Sequence, residues 1–226
     1  MATVKGLAPI YTSLSKILIL GTIPSEKSRE SSYYYNNNSN RFWKVISEWL
    51  EIPMPSNYDS KLQVLKENNI AVWDLIDTCE IDGSDDSTIK NPTFNNLQDL
   101  LDKTEIKLVL LNGKNAFETY EKNFKDLPVE YMLMPSTSSR NATFDKQKWI
   151  DALSLVDYYV REDAVKYYIK LAEKSNSPLY ETVKTEDGII YKFDDSWLLP
   201  RAAVESSVTI SSLKEALLIA IKHGKL

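Results

Sequence analysis

Two segments of this chain carry residue types that could do chemistry. The first runs Gly21-Thr-Ile-Pro-Ser25 and continues through Tyr33-Tyr-Tyr-Asn-Asn-Asn-Ser-Asn-Arg-Phe-Trp43. Rings offer stacking faces and side-chain amides read hydrogen-bonding edges, a pairing suited to a planar heterocycle. The second is Met134-Pro-Ser-Thr-Ser-Ser-Arg-Asn-Ala142. Its hydroxyls and consecutive backbone N–H groups suit an anion, with Arg140 close by.

Other chemistries lack their residues. The 226 residues include one cysteine, Cys79, and one histidine, His223. Thiolate or His/Cys metal sites, iron–sulfur ligation and histidine-based triads are nearly excluded on those counts, so no metal and no cofactor is expected. Six glycines are present, and none falls in a dinucleotide or P-loop pattern. No apolar run reaches the length of a membrane span, and the first residues lack the layout of a signal peptide. An intracellular, cytoplasmic protein follows as the expectation. The charge balance, 27 basic against 32 acidic residues, argues mildly against an indiscriminate polyanion binder and leaves room for a locally basic cleft.

The elements that must hold the two segments can be read from periodicity. Lys16-Ile-Leu-Ile-Leu20, Ile70–Ile76, Lys107–Leu111 and Glu130–Met134 read as strands, the first two as buried apolar runs. Between them Arg41–Leu50, Asp59–Asn68, Leu97–Lys103 and Lys114–Phe124 read as helices, and a further helix starts near Lys146 and runs to Leu155. The stretch from Ile76 to Asn91 reads as a polar loop. Alternation of this kind predicts an α/β fold, a three-layer α/β/α sandwich around a mostly parallel four-stranded sheet. Ligands of such sheets sit at the carboxyl ends of the strands, where both chemical segments begin.

After about Leu155 the pattern changes. A helix over Asp157–Ser175, short strands at Leu179–Val183, Gly188–Phe193 and Trp197–Leu199, a turn at Asp187-Gly188 and a closing helix over Ser211–Lys222 predict a small C-terminal α+β appendage. The chain thus divides into residues 1–156 and 157–226.

Taken together and in order, the first part resembles the uracil-DNA glycosylase superfamily, most closely its hypoxanthine branch, with mismatch-specific thymine/uracil glycosylases next. The blocks are Gly21-Thr-Ile-Pro-Ser25, Ser28-Arg-Glu30, Tyr34-Tyr35 and Asn40-Arg-Phe-Trp43. They continue through Trp73-Asp74, Cys79, Gly83-Ser84, Asp86-Ser87 and Ile89 to Asn112-Gly-Lys114 and Pro135-Ser-Thr-Ser138. The resemblance covers residues 14–155 and does not reach the appendage. Asn36-Asn-Asn38 stands where the family carries Gly-His-Pro, and Ser139-Arg140 replaces a more usual Pro-Ala.

The resemblance implies the following roles. Gly21, Thr22, Ile23, Pro24 and Ser25 form the floor of a base pocket, with Asn112 beside it. Tyr35 stacks on the flipped base. Ile23 occupies the position of a catalytic Asp or Asn in other branches, and the hypoxanthine branch uses the asparagine that is Asn40 here. Ser136, Thr137 and Ser138 contact the DNA backbone, and Arg140 is the wedge. The implied activity is a DNA base-excision repair glycosylase that flips a deaminated base, hypoxanthine foremost and also uracil or xanthine, and hydrolyses its N-glycosidic bond as a monomer, without a metal. The alternatives are a mismatch uracil/thymine glycosylase and a non-catalytic nucleobase binder that keeps the pocket. All of this requires Asn40 and Tyr35 to share one hollow beside the Arg140 loop.

Overall fold

The computed structural model describes residues 2–175, 180–185 and 188–193. The elements in chain order are β1 (Ala2–Lys5), β2 (Ile17–Gly21), α1 (Glu26–Ser31), α2 (Phe42–Trp49), α3 (Tyr58–Glu67), β3 (Ile70–Asp74), β4 (Ile76–Ile81), β5 (Lys90–Phe94), α4 (Leu97–Asp102), β6 (Leu108–Asn112), α5 (Lys114–Asn123), β7 (Glu130–Met134) and α6 (Lys146–Ser175), then β8 (Tyr180–Thr185) and β9 (Gly188–Phe193). Contacts divide the chain into two compact units, Met1–Val156 and Asp157–Leu226.

In the first unit β3, β2, β6 and β7 lie side by side in that order, all parallel. Ile17 to Leu20 are fully buried, as a strand covered on both faces must be. Leu18, Leu20, Val109 and Leu111 pack with Leu97, Leu100, Ala116 and Tyr120, which brings α4 and α5 onto one face. Side chains alternate along a strand, so Ile17, Ile19, Leu108 and Leu110 turn the other way. Phe42 and Ile46 of α2 and Trp149 and Leu153 in the first turns of α6 are buried as well. The expected sandwich is therefore present.

A second sheet departs from the expectation. The segment read as a polar loop forms β4 and β5, which with β1 make an antiparallel sheet in the order β1-β4-β5. Ile76, Cys79 and Ile81 of β4 are buried in a small apolar cluster with Ile23. Two register shifts between β4 and β5 break the regular alternation that would have announced the pair. β5 is exposed along its whole length and contains Pro92, a residue tolerated only at a sheet edge and one that argues against a strand in sequence.

Residues 146–175 form one helix rather than two, because no glycine or proline interrupts the run. In the second unit β8 and β9 pair antiparallel with Thr185 opposite Gly188, the expected hairpin with its first strand shifted to Tyr180–Thr185. The predicted strand Trp197–Leu199, the helix Ser211–Lys222 and His223 lie outside the described residues.

Candidate active site

The parallel register sets the carboxyl ends of the strands level. Gly21 pairs with Asp74, and Asn112 with Met134. These ends open into a cavity of about 300 Å³, at the small end of the range for small-molecule sites. Its walls include Gly21, Thr22, Ile23, Pro24, Ser25, Tyr35, Asn40, Asn112, Ser136, Thr137, Ser138 and Arg140. Every site residue expected from sequence borders this one hollow. A shallower groove of about 750 Å³ continues from it past Asn112, Ser136 and Arg140 to Lys114 and Lys148.

The first wall follows β2. Ser25 caps α1, its hydroxyl accepting from the Ser28 backbone N–H at 3.4 Å. Arg29 donates to the carbonyl oxygens of Pro24 at 2.5 Å and Gly83 at 2.8 Å, tying this turn to the loop after β4. Ile23 borders the cavity, but its side chain packs into the apolar cluster under the antiparallel sheet. A carboxylate or amide could not be buried there without a partner.

The aromatic loop supplies the second wall. Tyr34 is buried, with its hydroxyl donating to the Leu7 carbonyl at 3.1 Å and its own carbonyl accepting from Trp43 Nε1 at 3.1 Å. Tyr35 turns the chain at φ +53°, a conformation that costs a non-glycine residue about 1–3 kcal/mol and persists only when its surroundings enforce it. They do: its ring stacks on Phe42 at 3.9 Å between centroids and 13° between planes, and its hydroxyl accepts from Asn112 Nδ2 at 3.0 Å. Burial, with the Asp74 charge adding, holds the Tyr35 hydroxyl above the ordinary phenol range.

Within Asn36-Asn-Asn38 the turn is held by Asn37. Asn37 Oδ1 accepts from the Ser39 N–H at 3.2 Å and its hydroxyl at 3.0 Å, and the Asn37 carbonyl accepts from Asn40 N–H at 2.8 Å. Asn40 is half-buried, and its Oδ1 accepts from the Phe42 N–H at 2.9 Å. The amide is thereby fixed by the first turn of its own helix, with a second lone pair on Oδ1 still available.

Three residues organise the loop after β7. Asn112 joins the walls: besides Tyr35 it donates to Thr137 Oγ1 at 3.0 Å and accepts from the Thr137 N–H at 2.9 Å. Arg41 donates to the carbonyls of Ser138 at 3.2 Å and Asn141 at 2.9 Å, while its own N–H reaches the Thr137 carbonyl at 2.9 Å. Trp149 Nε1 donates to the Pro135 carbonyl at 2.8 Å. Arg140 stands exposed at the tip of this loop.

The residue that sequence reasoning passed over is Asp74. It sits on the cavity wall, is 4 % exposed, and its Oδ2 is buried without a hydrogen-bond partner. Burial, reinforced by the charge of Asp86, pushes its carboxyl up from 3.8 to about 8. The signal was there: a lone carboxylate ends the otherwise apolar strand Ile70-Ala-Val-Trp-Asp74 at its carboxyl end. Arg41 was likewise visible only as part of a motif, without a role.

Chemically, the site offers an aromatic ring, a fixed amide, a buried carboxyl, and a hydroxyl-rich loop with a cation at its rim. Residues 9–154 match the family model of the uracil DNA glycosylase superfamily. A curated protein named hypoxanthine DNA glycosylase from Methanosarcina acetivorans is 32% identical over 146 residues, covering 64% of this chain and 92% of that protein. A protein of the same name from Methanosarcina barkeri is 31% identical over 153 residues, covering 66% of this chain and 96% of its own length. The solution NMR structure of an M. acetivorans protein described as a candidate uracil DNA glycosylase superposes with a TM-score of 0.62 at 28% identity, covering 69% of this chain and 99% of that one. The chain belongs to the uracil DNA glycosylase superfamily, as a DNA glycosylase of the branch that holds these Methanosarcina proteins.

Proposed function

We propose that this DNA glycosylase removes deaminated bases, hypoxanthine foremost, by flipping the nucleotide into the cavity and hydrolysing its N-glycosidic bond, acting as a monomer inside the cell. Residues 1–156 carry this activity in the proposal, in keeping with the reach of the family match. The observation that carries the reading is the convergence of Asn40, Tyr35 and the Ser136–Arg140 loop on one hollow at the strand ends.

With one face of Tyr35 covered by Phe42, the other stacks on the extruded base. The hydroxyl loop takes the flanking phosphate and Arg140 fills the vacated stack. As the C1′–N9 bond breaks, its electron pair leaves with the base and the sugar becomes oxocarbenium-like. Asn40 holds the water that adds to C1′, and the proton the water sheds neutralises the departing base. A carboxamide is too weak a base to remove that proton early, so the rate comes from positioning and from groups complementary to the separated charges. An inosine or uracil in a mismatch costs less to extrude than a Watson–Crick base, which adds selectivity.

The test is incubation with duplexes carrying inosine, xanthine, uracil or a G·T mismatch, followed by alkali to reveal abasic sites. Inosine should be cleaved fastest, and Asn40→Ala should remove at least about 100-fold of the rate with the fold intact. Preference for uracil or mismatched thymine over inosine overturns the substrate assignment. Binding without any abasic product overturns the catalytic reading.

A further inference from the structure

Asp74 takes no part in the chemistry just described, yet it lines the same cavity. Its Oδ2 is buried and unpartnered, whereas nearly all buried polar atoms in native proteins have a partner and each exception calls for an explanation. Gly21 makes room for it. A Cβ on Gly21 would lie 2.4 Å from Asp74 Oδ1 and 3.8 Å from the Tyr35 hydroxyl. The carboxyl therefore sits beside the ring that, on the reading above, stacks on the base. The ionisable groups around it are the Tyr34 and Tyr35 hydroxyls and Asp86, with Glu26, Lys27 and the exposed Arg140 also on the cavity wall. No ion pair forms with it among the described residues. Burial and the Asp86 charge push it up to about 8, so at neutral pH it is largely a carboxylic acid, donor and acceptor at once.

Resting on the proposed glycosylase function, we propose that Asp74 is a base-contacting residue whose neutral carboxyl pairs with the lactam edge of the extruded base. For hypoxanthine, the Asp74 O–H donates to C6=O and the carboxyl C=O accepts from N1–H. The pair acts on the rate: as the glycosidic electron pair enters the ring, O6 becomes more negative and the O–H···O bond strengthens, an interaction larger in the transition state than in the ground state. No proton is transferred along it. Xanthine and uracil present the same N–H/C=O edge, so the substrate class is deaminated bases with a lactam. An ionised Asp74 would set negative charge against that oxygen, and activity therefore falls as pH rises through its titration. Tyr35, held above the ordinary phenol range, does not titrate in that window.

The experiment compares wild type, Asp74→Asn and Asp74→Ala on duplexes carrying inosine or purine 2′-deoxyriboside, which lacks O6 and N1–H. Single-turnover rates are measured across pH, and thermal melts check the fold. The expected results are an alkaline loss of wild-type activity on inosine centred near pH 8, and a fall of about 100-fold in the inosine-to-purine rate ratio in Asp74→Ala. Asparagine offers the same donor and acceptor and cannot ionise, so Asp74→Asn recovers most of that ratio and loses the alkaline limb. An Asp74→Ala ratio equal to wild type, or an alkaline limb in Asp74→Asn that coincides with the wild-type one, overturns the inference. If Asp74→Ala does not fold, the Asp74→Asn pH profile decides alone. A wild type inactive on inosine, xanthine and uracil alike sinks the function itself, whereas an active wild type indifferent to residue 74 sinks only this inference.

Discussion

Replacing Asp74 with asparagine should stabilise the folded protein at neutral pH, and the gain can be worked from its burial. The carboxyl is 4 % exposed and its value rises from 3.8 to about 8 on folding. The folded state thus holds the proton more tightly than the unfolded chain does, so the unfolded chain gains relative stability as pH rises between those two values. Linkage sets the slope at about 1.4 kcal/mol per pH unit, which accumulates to at most about 4 kcal/mol by pH ~7. Below the unfolded value both states are protonated and the cost vanishes; above the folded value it is complete. Asparagine keeps the shape and cannot ionise, so Asp74→Asn should match wild type near pH ~4 and exceed it progressively up to pH ~8. Urea unfolding of both proteins at a series of pH values measures the difference, and titrations common to both cancel. Stability curves that run parallel across that range would refute the account of Asp74 as a neutral, unpaired acid.

Three further outcomes follow from the walls of the cavity. Asn112→Ala leaves the fully buried Thr137 with an unsatisfied backbone N–H and should cost about 1–3 kcal/mol in a thermal melt, with a larger proportional loss of kcat because Tyr35 loses its tether. Arg140→Ala, at an exposed tip, should change stability by less than about 0.5 kcal/mol but slow cleavage of a duplex lesion more than of the same lesion in single strand, where no stack has to be filled. Gly21→Ala places a Cβ 2.4 Å from Asp74 Oδ1; the carboxyl must move, and the wild-type preference for inosine over purine 2′-deoxyriboside should fall with it.

The parallel sheet and its helices were legible because continuous apolar strands alternate with helical periodicity, as in Ile17–Leu20 followed by Phe42–Leu50. The rim was legible because turn-rich, polar stretches follow each strand end. The antiparallel sheet was hidden by different physics. Asp77, Thr78 and Glu80 separate the buried Ile76, Cys79 and Ile81 of β4, and Pro92 disguises an edge strand whose residues are all exposed. Asp74 was visible as the acidic end of an apolar strand, but its role was not, because only tertiary burial distinguishes it from a solvated carboxylate. The bond network of Asn112 is likewise tertiary, linking residues 35 and 137 across the fold.

Tyr35 is held three times over, by its left-handed backbone, by the stack on Phe42 and by the Asn112 bond. Nothing is left for an arriving nucleotide to rearrange there. The entropic cost of fixing the ring was met during folding, so on the proposed function the protein is a finished mould and the delay in finding damage belongs to the DNA. Lesion discovery should therefore track how often a weakened pair opens by itself, rather than how fast the enzyme changes shape.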